Sequence, residues 1–230
     1  MIISHTHKFI FIKTTKTAGT SIEVFLSDRC GPEDIVTPVL PAVEGHVPRN
    51  FRGIFNPFKE LAESRNDFTE TKRVIRRFGR MQRYYNHMPA RTIRDRLPEK
   101  IWDGYFKFCV ERNPWDKTLS HFHMVNARSS EKVSFDEYIE TRRFPVDIEK
   151  YTDERGELMV DAVIKYEQLD ESLEKIFSSL GIEFDGDLGV RAKAGHRSDA
   201  RSYAEVFNER QRDIVAEYFA KEIALHGYEF

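Results

Sequence analysis

The chain predicts an α/β fold in three layers, a central parallel β-sheet flanked by helices, and three observations lead there. Runs dense in β-branched and aromatic residues at 8–13 (KFIFIK), 105–110 (YFKFCV) and 162–166 (AVIKY) have the length and apolar density of buried strands. Each is followed by a polar turn and then by apolar residues at helical spacing. Strands separated by helices at such intervals favour parallel pairing through crossovers, and in such sheets ligands bind beyond the carboxyl ends of the strands. A length of 230 residues suits one domain spanning 1–230, with enough chain to bury a core unaided.

The first strand, 8–13, leads through a turn at 14–19 into a helix that opens at Thr20 and runs to Leu26. Residues 31–57 contain Pro32, Pro38, Pro41, Pro48 and Pro57, spaced so that no regular element runs through them, and read as a long functional loop. Residues 58–81 are highly charged with apolar residues at mixed spacing, which predicts one or two surface helices. The run Lys72, Arg73, Arg76, Arg77, Arg80 and Arg83 is read as a solvated helix face in preference to a docking strip for an acidic polysaccharide. A short helix with proline in its first turn is expected over 89–97, closed by Pro98. The second strand gives way at Arg112 and Asn113 to a helix begun by Pro114, with Leu119, Phe122, His123 and Asn126 on one approximate face. After the third strand, Leu169, Leu173, Ile176, Phe177 and Leu180 form an apolar helical stripe stopped by Gly181. Residues 203–225 repeat that periodicity through Val206, Ile214, Val215, Tyr218, Phe219 and Ile223.

Composition narrows the function classes. With 36 basic and 38 acidic side chains the formal net charge is −2, so no global excess draws the chain to nucleic acid or an anionic membrane, and any anion site must be local. Cys30 and Cys109 form no CxxC pair, which excludes a disulfide framework and favours a reducing compartment. Neither an HExxH motif nor a Cys/His cluster occurs, so no metal is implied. The apolar run at 9–12 is too short to span a bilayer, and residues 1–8 lack the apolar stretch of a signal peptide. With a strand starting within ten residues of Met1, a soluble, cytoplasmic protein is expected.

Two strand-end turns carry anion-binding chemistry. In Lys16-Thr17-Ala18-Gly19-Thr20-Ser21 the lysine supplies a point charge and Gly19 lets the backbone approach closely. The amides of Gly19, Thr20 and Ser21 open a helix toward an anion, with two hydroxyls as further donors. The order differs from the Walker A pattern GxxxxGK[ST], because the lysine precedes the glycine and no second glycine lies upstream; an ordinary ATPase or kinase loop is disfavoured. By itself the segment is equally a polar turn before an N-capped helix. In the second turn, Arg112 ends a strand and Ser120 lies two turns into the next helix. A guanidinium fork and a hydroxyl can grip one phosphate from adjacent directions, although singly Arg112 is also a strand-end cation and Ser120 a helix-interior serine.

Together the two turns resemble those of the PAPS-dependent sulfotransferases of carbohydrate type (family 2-like), in which a strand precedes K-T-x-G-T-S and a later strand ends in R-N-P-W-[DE]-[RK]-x-x-S. His87-Met88-Pro89-Ala90, Trp102, the blocks at 106–111 and 163–169 and Gly227-Tyr228-Glu229-Phe230 also look family-like. The resemblance spans most of the chain and is least marked at 31–81. It implies a P-loop-like fold and transfer of a sulfuryl group from 3′-phosphoadenosine-5′-phosphosulfate (PAPS) to a hydroxyl, with 3′-phosphoadenosine-5′-phosphate (PAP) as product. On that resemblance Lys16, Thr17, Ala18, Gly19, Thr20 and Ser21 would cradle the 5′-phosphosulfate, with Lys16 stabilising the leaving phosphate. Arg112 and Ser120 would bind the 3′-phosphate, and Arg197, in a basic loop with Arg191, Lys193 and His196, would add a donor contact. Similar proteins usually carry arginine in place of Lys117 and proline in place of Thr15, changes expected to keep the charge and to alter only loop stiffness.

Sulfuryl transfer asks for in-line geometry and charge stabilisation more than covalent catalysis, together with a base for the acceptor hydroxyl. Among eight histidines, His87 is the choice, because in similar proteins a histidine stands just ahead of the short helix that precedes the R-N-P strand. His46, in the long loop, is the runner-up. Carbohydrate is the acceptor class the resemblance implies, met by the variable loops at 31–85 and 129–155. Two rivals stay open. A nucleotide-dependent phosphotransferase would need Mg²⁺ ligands, and Glu111 and Arg112 stand where a Walker B aspartate belongs. A non-catalytic nucleotide- or glycan-binding module on the same fold is the other.

Overall fold

The computed structural model describes residues 1–189 and 201–230. Its centre is a five-stranded sheet in the order β3-β1-β2-β4-β5, with β1 at Ile2–Ser4, β2 at Phe9–Ile12, β3 at Ile35–Val36, β4 at Phe106–Glu111 and β5 at Ala162–Lys165. The three predicted strands are β2, β4 and β5, and they pair in parallel, with Ile12 beside Cys109 and Glu111 beside Lys165. β1 and β3 join antiparallel at one edge. Neither was expected, for a physical reason: three and two residues are too few to display strand alternation. β3 forms inside the proline-rich stretch, where Ile35 and Val36 fit between Pro32 and Pro38.

Strand residues divide by alternation between two cores, so the sheet is apolar on both faces. Ile3, Ile10, Ile12 and Cys109 pack with Met88, Ala90, Ile93, Trp102 and Tyr151. Ile2, Phe9, Phe11, Phe108 and Val110 pack on the other side with Ile22, Phe25, Leu26, Leu173 and Phe177. Ala90, Ile93 and Trp102 come from α4 (Ala90–Arg96) and α5 (Glu99–Gly104) on the first face, Met88 and Tyr151 from irregular chain; α1 (Gly19–Asp28) and α8 (Leu169–Ser179) supply the second. This is the three-layer arrangement that the alternating strands and helices predicted.

Between them run α2 (Phe58–Glu63) and α3 (Phe68–Gly79), then α6 (Pro114–Arg128) and α7 (Phe135–Glu140). Residues 203–225 hold not one helix but α9 (Tyr203–Val206), α10 (Glu209–Tyr218) and α11 (Ala220–His226). The breaks fall at Asn208, whose extended backbone and side chain cap α10, and at Phe219. Trp115, Leu119, Tyr138, Ile139, Ile214, Val215 and Phe219 close a third core among α6, α7, α10 and α11. No helix among the described residues is long and apolar enough to cross a membrane.

Candidate active site at the carboxyl ends of the parallel strands

Parallel register sets the carboxyl ends of β2 and β4 side by side, so residues 13–18 and the turn at Arg112 and Asn113 are neighbours. Thr14 anchors the first turn through its hydroxyl, which donates to the Val110 carbonyl of β4 and lies 2.8 Å from Thr17 Oγ1. The backbone then takes the left-handed conformation at Lys16 (φ 62°) and Ala18 (φ 56°), uncommon for residues with a Cβ. Ala18 occupies the N-cap of α1 and has no side-chain acceptor with which to close it. Left-handed residues just ahead of a helix N-terminus aim amides outward, an arrangement that suits an anion. Thr17, Thr20 and Ser21 are buried and Lys16 is half-buried. The helix rests on Lys13, whose buried ammonium pairs with Glu23.

Arg112 ties the second turn to the first. Its Nη1 donates to the Lys16 carbonyl at 3.1 Å, while Nε and Nη2 donate to Asp116 Oδ2 at 2.9 and 2.7 Å. The guanidinium also lies 4.2 Å from the centre of the Tyr166 ring. Asn113 caps α6 by accepting from the Trp115 N–H at 3.1 Å, and Pro114 needs no donor at the first helical position. The family-like blocks meet here: Glu167 accepts from the Asn113 N–H at 2.7 Å, and Asn113 Nδ2 donates to the Glu229 carbonyl at 2.9 Å. Ser120 is half-buried on α6, one helical turn beyond Asp116 and so on the same side of the helix.

His87 precedes α4 in a left-handed conformation (φ 58°). Its Nδ1 lies 3.1 Å from the Lys13 carbonyl; a carbonyl only accepts, so Nδ1 carries the proton and Nε2 keeps its lone pair. Burial first, then the charges of Lys150 and Lys13, pull the imidazole down to about 3, so it is neutral at physiological pH. His46 is also pulled down, to about 4, by burial and then by the chain's amino terminus and Lys13, and its Nε2 is buried without a hydrogen-bond partner. His121 feels burial and then Lys16, which lower it to about 4; its Nδ1 lies 2.8 Å from the Tyr138 hydroxyl.

The sequence reading missed Asp147. This buried carboxylate, in a stretch expected to serve as a variable acceptor loop, accepts from the Thr15 N–H at 2.6 Å and the Thr15 hydroxyl at 3.1 Å. Lys150 pairs with it, and Lys117 Nζ approaches it at 2.8 Å while standing 2.7 Å from Glu111. Burial opposes its ionisation, yet Lys117 and Lys150 hold it well below the usual carboxylate range. Glu111, buried beside the same lysine and Asp147, is pushed up, burial being the main cause. Lys117, expected only to conserve a charge near the donor, is wholly buried between the two acids. Thr15 is likewise more than a matter of stiffness, since its N–H is a donor that proline lacks. The only signal in the sequence was chemical: an aspartate beside an isoleucine, with nothing to mark it as buried.

Arg197 and its basic neighbours lie outside the described residues. The remaining predicted residues occupy one end of the sheet, at the β2 and β4 turns, at the His87 turn and on α6.

A mixed α/β sheet with an anion-suited strand–turn–helix at its centre defines the class of molecule. No protein-family model matches the chain. An uncharacterized protein of Archaeoglobus fulgidus is 31% identical over 112 residues, which cover 46% of this chain and 93% of that protein; the chain belongs to the same family as that archaeal protein. Among solved structures, mouse sulfotransferase SULT7A1 complexed with PAP aligns over 96% of this chain and 85% of its own, with 13% identity and a TM-score of 0.48. A sulfotransferase from Alicyclobacillus acidocaldarius aligns over 97% and 96%, with 19% identity and a TM-score of 0.45.

Proposed function

We propose that the protein is a sulfotransferase that moves a sulfuryl group from PAPS to a hydroxyl of a carbohydrate acceptor, at the carboxyl ends of β2 and β4. The observation that carries this reading is the 3.1 Å bond from Arg112 to the Lys16 carbonyl, which joins the two turns of the sequence resemblance into one wall. The donor supplies an activated sulfuryl group. Lys16 and the amides of Gly19, Thr20 and Ser21 hold its 5′ end, and Thr17 and Ala18 fix the turn that aims them. Arg112 and Ser120 take the 3′-phosphate, with Arg197 as a further contact.

His87 Nε2 accepts the hydroxyl proton as the acceptor oxygen bonds to sulfur and the bond from sulfur to the bridging oxygen breaks. Lys16 stabilises the charge left on the departing phosphate. Burial is the main cause of the low value of His87, with Lys150 and Lys13 adding to it; a bound anion offsets the lysines' part and so moves the imidazole upward, toward the range where a general base works best.

Calorimetric titration with PAP, and with ATP plus Mg²⁺, tests the reading. PAP is expected to bind more tightly, and Arg112→Ala to lower its affinity at least tenfold while sparing adenosine 5′-phosphosulfate, which lacks the 3′-phosphate. With labelled PAPS, His87→Ala is expected to lower turnover by about 10²- to 10⁴-fold without changing PAP affinity. Preference for ATP would favour a phosphotransferase instead. Binding that depends on the 3′-phosphate but gives no turnover with any hydroxyl acceptor would favour the non-catalytic module.

A further inference from the structure

The basic run at 72–83 lies on and just after α3, and the fold leaves apolar side chains exposed beside it. Six of the thirteen large hydrophobic side chains exposed among the described residues fall within 54–81: Ile54, Phe58, Phe68, Ile75, Phe78 and Met81. Phe68 is 72% and Ile75 57% exposed. Single exposed hydrophobics are ordinary on a protein surface, whereas a concentration of them marks an interaction site. At about 100° per residue, Phe68, Ile75 and Phe78 fall in one arc roughly 80° wide. Lys72, Arg76 and Arg80 fill the adjoining arc.

The helix is seated by buried Val74 and by the edge-to-face contact of Phe78 with the buried Phe55 ring, and is capped by Asp67, so Phe68, Ile75 and the cationic arc are not needed to hold it in place. Arg73 and Arg77 both pair with Glu70. Arg76 and Arg80 are exposed and have no carboxylate partner among the described residues, and Lys72 lies 4.2 Å over the Phe68 ring. Residues 68–83 carry six basic side chains and one acidic, within a chain whose formal net charge is −2.

We propose that this face docks on an anionic phospholipid bilayer, with α3 lying in the plane of the interface. Phe68, Ile75 and Phe78 enter the boundary between headgroups and acyl chains, and Lys72, Arg76 and Arg80 meet the lipid phosphates. Charge selects this occupant. A second copy docking the same face about a two-fold axis would set the cationic row against itself. Nucleic acid would satisfy the cations but not the exposed isoleucines. The inference holds whichever reaction the protein catalyses.

Sedimentation of the full chain with phosphatidylcholine vesicles, with and without phosphatidylserine, is the test. Binding is expected to require phosphatidylserine, to weaken in high salt, and to fall about fivefold for each charge removed by Arg76→Gln and Arg80→Gln. The double variant Phe68→Ser/Ile75→Ser is expected to reduce binding tenfold or more at unchanged charge; all four side chains are exposed, so an unaltered melting temperature shows that the variants fold. Equal binding to both vesicles, variants that bind like the parent, a dimer that the Phe68 variant dissolves, or duplex DNA binding sensitive to Arg76 but not to Phe68 would each overturn the proposal.

Discussion

At Gly19 a Cβ would lie 2.8 Å from Lys13 Cγ and 3.1 Å from its Cε. Lys13 is buried and paired with Glu23, so it has little freedom to retreat. Its place in the turn already accounts for this glycine by the approach of a ligand to the backbone; the fold adds the seating of α1 on a lysine side chain. Gly19→Ala is therefore expected to cost about 1–3 kcal/mol, seen as a lower urea midpoint at constant slope. Ala18→Gly, which relieves a left-handed residue (φ 56°), is expected to cost nothing or to stabilise by up to about 1 kcal/mol. A Gly19→Ala midpoint equal to that of the parent would mean that Lys13 yields freely.

Among the elements, β4, α6 and the strap after α7 are locked by one buried ammonium. Lys117 stands 2.7 Å from Glu111 and 2.8 Å from Asp147, and burial, which alone would lower it, is outweighed by those two charges. Asp147 in turn holds Thr15, one residue before Lys16. Removing one partner from such a group strands the others in a medium that cannot solvate them. Lys117→Met is expected to destabilise by about 3–5 kcal/mol at pH 8. Without the lysine Glu111 is left to burial, which favours its protonated form, while Asp147 keeps Lys150, so the deficit relative to the parent should shrink at pH 5 through Glu111. Denaturant midpoints at the two pH values measure this, and a deficit that does not change with pH would mean that Glu111 is not left ionised and unpaired. Periodicity in the sequence marked β4 and α6, but neither α7 and its strap nor the lock, because an ion pair between Lys117 and Asp147, far apart in the chain, leaves no periodic trace.

For the whole molecule, four histidines share one electrostatic state. Burial, chiefly, lowers His87 to about 3 and His46, His121 and His226 to about 4. In the unfolded chain each takes up a proton near 6.5. Between that value and about 4 the unfolded state binds protons that the native state refuses, so stability is full above pH 6.5 and falls as the pH drops. The limiting slope is about 1.4 kcal/mol per pH unit for each histidine, less where partial exposure lets solvent screen the charge. Urea midpoints at pH 7.5 and 5 should differ accordingly; equal midpoints would show that these imidazoles protonate in place.

The sequence by itself determined the sheet's parallel centre and its helical cover, because hydrophobic alternation and helical spacing are local properties that the chain carries in order. It also marked Lys16 to Ser21 and the Arg112 turn, since glycine, proline and asparagine act on the backbone where they stand. Tertiary structure alone decided that the two turns touch through Arg112, that His87 reaches the Lys13 carbonyl, and that Asp147 lies beneath Thr15. It also decided that β1 and β3 extend the sheet. Those are contacts between distant segments, set by strand register and by which charges the core can pair once water is gone.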